Sequence, residues 1–139
     1  MDSTEIPFLP ATELSALIRS GDVSPVEAAE AYLDRIGQID GKLNSYITVC
    51  RDEALAEAQQ AEKEIAAGNY RGPMHGLPVA VKDQFYTKGI RTTGGSAILK
   101  DLVPNEDATV VANLKAAGSV LLGKLNMSEY AMGDAFFHS

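Results

Sequence analysis

Two short apolar runs separated by a helical stripe constrain this chain more than any other feature. Pro78-Val79-Ala80-Val81 and Ser119-Val120-Leu121-Leu122 are β-branched or aliphatic and do not alternate with polar residues. That pattern fits strands covered on both faces. Between them, Val110, Val111, Leu114 and Ala117 recur at helical spacing and are closed by Gly118. Asp107 is the expected N-cap of that helix. Strand, helix, strand in this order reads as one βαβ unit with parallel strands over 77–123. The fold class is therefore α/β.

The region 1–70 reads as mainly helical. Thr12 to Ser20 carries Leu14, Leu17 and Ile18 and ends at Gly21. Ser24-Pro25-Val26-Glu27 has the form of a capping box with proline at the first helical position. It opens a helix expected to run to about Gly37, with Val26, Ala29, Tyr32, Leu33 and Ile36 on one face. Tyr46 to Cys50 is β-rich and reads as a short strand. Arg51 to Ala67 is rich in alanine and glutamate and reads as a helix. Residues 83–106 form a long polar connection.

Composition narrows the function classes. Apolar residues make up 45% and charged residues 22%, as in a globular domain. A net charge of −7 without a basic cluster argues against direct binding to a nucleic-acid backbone. No apolar run reaches membrane-spanning length, and residues 1–5 lack the basic start and apolar core of a signal peptide. A cytoplasmic protein without membrane attachment is expected. Cys50 is the only cysteine, so no internal disulfide can form, and it reads as a small buried hydrophobe. The two histidines, His75 and His138, are far apart and lack clustered partners, which makes a metal site unexpected.

Ligands of open α/β sheets gather at the carboxyl ends of the strands. Lys82 closes the first apolar run, and Lys124 follows the second through Gly123. On bare sequence each is most simply a lysine reaching water along its stem. Lys82 is the stronger candidate because Val79, Ala80 and Val81 precede it directly, whereas Gly123 lets Lys124 turn away. A lysine deprived of hydration at a strand end can act as a base. Asp83 either orients Lys82 or caps the following turn. Gly118 to Lys124 approaches a P-loop, but Leu125 stands where serine or threonine should hold magnesium. Thr92-Thr93-Gly94-Gly95-Ser96 can offer an anion nest, although a plain loop is the simpler reading.

Taken together, several motifs resemble the amidase signature family. Arg71-Gly72-Pro73-Met74-His75-Gly76-Leu77-Pro78-Val79-Ala80-Val81-Lys82-Asp83 looks like that family's lysine motif. Thr92 to Ser96, Asp107 to Val111, Gly118 to Lys124 and Asn126 to Gly133 follow in the family's order, and the Ser-Pro-Val-Glu helix start also matches. The resemblance implies a partial mixed sheet flanked by helices, the N-terminal portion of an α/β/α amidase domain spanning residues 1–139.

The resemblance further implies amide-bond cleavage by a serine nucleophile, a second serine on a cis peptide bond, and a lysine matching Lys82. Both serines belong to a glycine- and serine-rich segment downstream of these motifs. Ser96 and Ser139 do not occupy it, so the 139-residue polypeptide alone is expected to be inactive. The turn after Asn126 would line the acyl side of a small amide substrate, through Ala131, Met132 and Asp134. No cofactor is implied. A stand-alone amidase is the leading reading, tipped by Asp134-Ala135-Phe136-Phe137-His138. The amidase subunit of a glutamine-dependent tRNA amidotransferase, with partner subunits contacting tRNA, comes next. A non-catalytic binding domain is the third reading.

Overall fold

The computed structural model describes residues 2–132. Four helices, α1 (Ala11–Ser20), α2 (Pro25–Leu43), α3 (Arg51–Ala66) and α4 (Thr109–Ala116), pack with three strands, β1 (Tyr46–Val49), β2 (Pro78–Lys82) and β3 (Val120–Leu125). The sheet order is β1-β3-β2. β2 runs parallel to β3, as the βαβ pattern requires, and β1 runs antiparallel to it. The α/β class with a mixed sheet flanked by helices is thus the observed architecture.

The capping box at Ser24 forms as expected. Ser24 Oγ accepts from the Glu27 N–H at 3.0 Å, and a Glu27 carboxylate oxygen accepts from the Ser24 N–H at 2.8 Å. The helix it starts runs past Gly37 and ends only at Asn44, which takes a left-handed conformation. Gly37 keeps a negative φ and is carried through at a cost of about 1 kcal/mol relative to alanine. The cost is offset at the far end, where both Asp40 carboxylate oxygens accept backbone N–H groups of Ser45 and Tyr46 and join α2 to β1.

Each face of β3 has its own core. Val120 and Leu122 pack with Ala29 and Leu33 of α2 and with Ala54 and Ala58 of α3. The alanines let the two helices approach the sheet closely. On the other face, Leu121 packs with Val81 of β2 and Val111 of α4, with Phe85 and Ile90 against them. A third cluster, including Leu14, Ile18, Val23, Ala28 and Leu77, seats α1 on α2.

Two sequence expectations are corrected. Asp107 does not cap α4, whose N-cap is Ala108 with no side-chain bond. Asp107 instead accepts from Lys115 Nζ at 2.9 Å and from the Lys88 N–H at 2.7 Å, so it clamps the helix side to the long connection. The second strand also continues to Leu125 rather than ending at Leu122, which puts Lys124 inside it.

β3 carries a bulge. Val79 pairs with Leu121 and Ala80 with Gly123, so Leu122 is an extra residue on the β3 side. The Leu121 N–H is taken by a Glu57 carboxylate oxygen at 2.8 Å, and burial raises that carboxyl group above its ordinary range. The extra residue shifts the alternation of side chains. Lys124 therefore meets Phe85 and Thr92 instead of continuing the row of Val120 and Leu122.

β1 passes close against β3 at Gly123. A Cβ at this position would lie 2.3 Å from the Thr48 carbonyl oxygen, a backbone atom that cannot rotate away. Gly123→Ala should destabilise the fold by about 1–3 kcal/mol, as overpacking of a tight site does. The midpoint of urea unfolding, followed by circular dichroism, measures it.

Candidate functional site

Lys82 ends β2 with its side chain exposed and its Nζ donating to the Asn126 carbonyl at 3.2 Å. Asn126 is itself held on the neighbouring segment, through its N–H to the Ser45 carbonyl and its side-chain amide to the Asn44 carbonyl. The next residue, Asp83, is wholly buried. Its N–H donates to the Leu125 carbonyl at 3.0 Å, and its own carbonyl accepts from the Gly94 N–H at 3.0 Å. Its Oδ2 accepts from both the N–H and the hydroxyl of Thr93. The two readings of Asp83 are thereby separated: the carboxylate fastens the connection that follows and is not bonded to Lys82.

Lys124 is the largest fully buried side chain among the described residues. Its Nζ donates to the Phe85 carbonyl at 2.8 Å and to Thr92 Oγ1 at 2.7 Å, and lies 3.5 Å from Asp83 Oδ1. The Thr92 hydroxyl spends its own proton on the Ile90 carbonyl. All three neighbours of Nζ are therefore acceptors, and the site is shaped for an ammonium with three protons. Burial pushes the amine below its ordinary range while Asp83 pulls it back. The expectation that Lys124 turns away to water is overturned, and the cause is the bulge, which turns its side chain toward the Thr92 side.

The turn at 92–96 is buried and uses its own polar groups. The Thr93 and Gly94 amides go to Asp83, and the Gly95 amide donates to Thr93 Oγ1 at 3.1 Å. These amides have protein partners and form no open anion nest, in keeping with a plain loop. The same turn meets the segment after Asn126. The Tyr130 N–H donates to the Gly94 carbonyl at 2.8 Å, and Ser96 Oγ donates to Glu129 Oε1 at 2.6 Å. The lysine end of β2, the threonine-glycine turn and the segment 126–131 thus converge, although they are far apart in sequence.

A shallow groove of about 250 Å³ opens at this junction, lined by Gln84, Tyr86, Thr92, Gly94, Leu99 and Tyr130. Ala131 and Met132, expected to line the acyl side, are exposed just beyond Tyr130, and Ala131 has a φ of +58°. Asp134 lies outside the described residues. Sequence reading offered Asp83 as a cap of the following turn but missed the ordering roles of Lys124, Glu129 and Tyr130. The one available signal was the pair of threonines at 92 and 93, whose hydroxyls both find a buried charge.

The other candidates resolve into structural roles. Cys50 is buried, and burial lifts its thiol to about 11, too high for a nucleophile near neutral pH. His75 is buried, with Nδ1 accepting from the Arg71 N–H at 3.1 Å and Nε2 3.1 Å from Glu64 Oε2, though not in line for a good hydrogen bond. No cluster of metal-ligating side chains occurs among the described residues. No helix among them is long and apolar enough to cross a membrane.

A sequence model of the Amidase family matches residues 27–136. The chain belongs to the amidase family. Among curated relatives, the glutamyl-tRNA(Gln) amidotransferase A subunit of Geobacter sp. strain M21 is 51% identical over 123 residues, covering 88% of this chain and 25% of that protein. Its counterpart from Moorella thermoacetica is 47% identical, covering 94% and 27%. The chain therefore spans about a quarter of the length of these relatives. Among solved structures, the native peptide amidase of Stenotrophomonas maltophilia aligns with a TM-score of 0.86 at 34% identity, covering 94% of this chain and 28% of that one. A fatty acid amide hydrolase aligns with a TM-score of 0.88 at 27% identity, covering 94% and 23%.

Two predictions come from the buried groups. Lys124→Met leaves the Asp83 carboxylate buried without its cation, so it should cost about 3–5 kcal/mol. Adding Asp83→Asn should recover part of that loss in urea unfolding. For His75, burial holds the imidazole below its ordinary value of 6.5, with the Glu64 carboxylate opposing and the Arg71 charge reinforcing the shift. The unfolded chain then binds the proton more readily, so stability declines as pH falls through 6.5. His75→Gln should flatten that decline between about pH 7 and pH 5, read from urea midpoints.

Proposed function

We propose that this chain is the lysine-bearing N-terminal part of an enzyme that cleaves amide bonds, with Lys82 as general base. The observation that carries the reading is the position of Lys82. It stands at the carboxyl end of a parallel strand, exposed, with one carbonyl partner, close to where the 92–96 turn and the 126–131 segment meet. A ligand in an open α/β sheet belongs at such a strand end.

In this reading neutral Lys82 takes a proton, relayed by a bridging serine, from a nucleophilic serine. The serine oxygen attacks the amide carbonyl carbon, and the carbon–nitrogen bond breaks as the departing nitrogen gains a proton. Water then releases the acid from the acyl-enzyme. Both serines come from outside residues 1–139. An exposed amine is hydrated, so a base working near neutral pH needs further cover over Lys82 to disfavour its charged form. That cover is assigned to the same outside segment.

The relatives favour one refinement. Those at 44–52% identity carry the name of the amidotransferase A subunit. We therefore place the glutamine-cleaving subunit of an amidotransferase ahead of a stand-alone amidase, reversing the order that the residues after Gly133 had supported. The acidic composition is compatible with it, because partner subunits would make the contact with tRNA. The substrate in that case is the side-chain amide of glutamine, and the released ammonia passes to an acceptor.

The test uses the protein as its gene encodes it, assayed for glutaminase and for simple amide hydrolysis with and without candidate partner subunits. Lys82→Met should reduce turnover to background while leaving the unfolding transition in place. Glutaminase activity that rises with partners selects the amidotransferase reading, and partner-independent hydrolysis selects the stand-alone one. The 139-residue polypeptide alone should show no turnover; activity there that disappears in Lys82→Ala would overturn the need for outside serines.

A further inference from the structure

We propose that the buried Asp83–Lys124 pair is a positioning unit that sets where the Lys82 amine stands. The inference rests on Lys82 being the base. A closed circuit of bonds links Lys82 and Asp83, and Lys124 braces it from outside through Asp83 and Thr92. Lys82 Nζ reaches the Asn126 carbonyl, and the segment from Asn126 leads to Tyr130. The Tyr130 N–H reaches the Gly94 carbonyl, and the Gly94 N–H reaches the Asp83 carbonyl. Asp83 is bonded covalently to Lys82, which closes the ring.

The circuit has one weak side. Lys82 is an exposed side chain with a single bond, so it cannot hold itself in place. Asp83 and Lys124 are both wholly buried and supply what Lys82 lacks. Asp83 Oδ2 binds Thr93, and Lys124 Nζ binds Thr92 Oγ1 and the Phe85 carbonyl. Together they fix the start of the connection, at Phe85, and the turn that supplies Gly94, at Thr92 and Thr93. Lys124 also precedes Leu125, whose carbonyl accepts the Asp83 N–H, so the same strand anchors the pair and the start of the 126–131 segment.

The pair has an electrostatic effect as well. With Lys124 present, the Asp83 carboxylate is neutralised at short range. Without it, a negative charge stands one residue from Lys82 and favours the protonated, inactive amine. Displacement alone can cost about 100-fold in turnover when a catalytic group moves by about 1 Å.

The test compares Lys124→Met, Lys124→Arg and Thr92→Val in the protein as its gene encodes it, each checked for cooperative unfolding. Acylation of individual lysine amines is followed by mass spectrometry, with exposed Lys63 of α3 as internal reference. The Lys82 rate relative to Lys63 should change in Lys124→Met and in Thr92→Val. In the active protein kcat should fall by up to about 100-fold with KM nearly unchanged. The acid limb of the pH profile should move to higher pH in Lys124→Met and return toward the parent position in Lys124→Arg. A merely structural role would lower the urea midpoint and leave the limb where it was.

An unchanged Lys82 rate in folded Lys124→Met and Thr92→Val overturns the inference. If Lys124→Met does not fold, Thr92→Val decides, since it removes one hydroxyl and keeps both charges. Should Lys82→Met retain activity, the assignment of Lys82 as base fails, and the labelling rates still decide whether the pair positions Lys82.

Discussion

A fully buried lysine, Lys124, dictates the path of the connection that follows β2. Removing Lys124 from water costs several kcal/mol, which only good geometry and enough acceptors can offset. The chain meets that demand with Asp83, the Phe85 carbonyl and Thr92. These partners come from β2's end and from two points in the first half of the following connection. A long polar stretch, which would otherwise be a loose surface loop, becomes ordered because its threonines and carbonyls are needed inside. The turn at 92–96 is buried as a result, although its sequence is rich in hydroxyls and glycine.

The packing on either side of β3 explains why the lysine can be placed there at all. α2 and α3 present alanine to the sheet and close down on one face. α4 covers the other face with Val111, leaving the last residues of β3 to the connection rather than to a helix. Glu57 of α3 accepts the amide freed at the bulge, so the irregularity does not leave that donor unpaired. On the far side of the sheet, Pro78, Val79 and Ala80 of β2 remain half-buried, and β2 is an edge strand among the described residues.

Local patterns in the sequence are legible where one segment carries the whole signal. The capping box, the apolar face of α2, and the parallel βαβ unit each depend on residues within one element or one crossover. Long-range irregularities are not legible. Nothing near Tyr46 announces that it pairs antiparallel with Leu125. The bulge at Leu122 depends on how β2 and β3 register, and a one-residue slip exchanges the faces of every later side chain. Lys124 departs from its expected place for that reason. Asp107 departs because a residue that looks like a cap can instead find a cation, Lys115, one helix length away. Lys82 and the segment after Asn126 stand out through their likeness to a family's motifs, with the strand-end position as a second, weaker reason.

The two lysines also show why burial alone is a poor guide to a base. Lys124 is the drier of the two, and by burial it would be chosen. Its surroundings forbid the role. Each neighbour of Nζ accepts and none donates, since the Thr92 proton is committed to the Ile90 carbonyl. A neutral amine there would leave one acceptor facing a lone pair and the Asp83 carboxylate uncompensated. Lys82 has the opposite arrangement: one carbonyl partner, no carboxylate bonded to it, and open space beyond its amine. An amine that must alternately take and surrender a proton needs unoccupied bonding capacity on the side where substrate arrives. Partner chemistry thus separates the lysine that holds the fold from the one that can do work, although the two stand at the ends of adjacent strands.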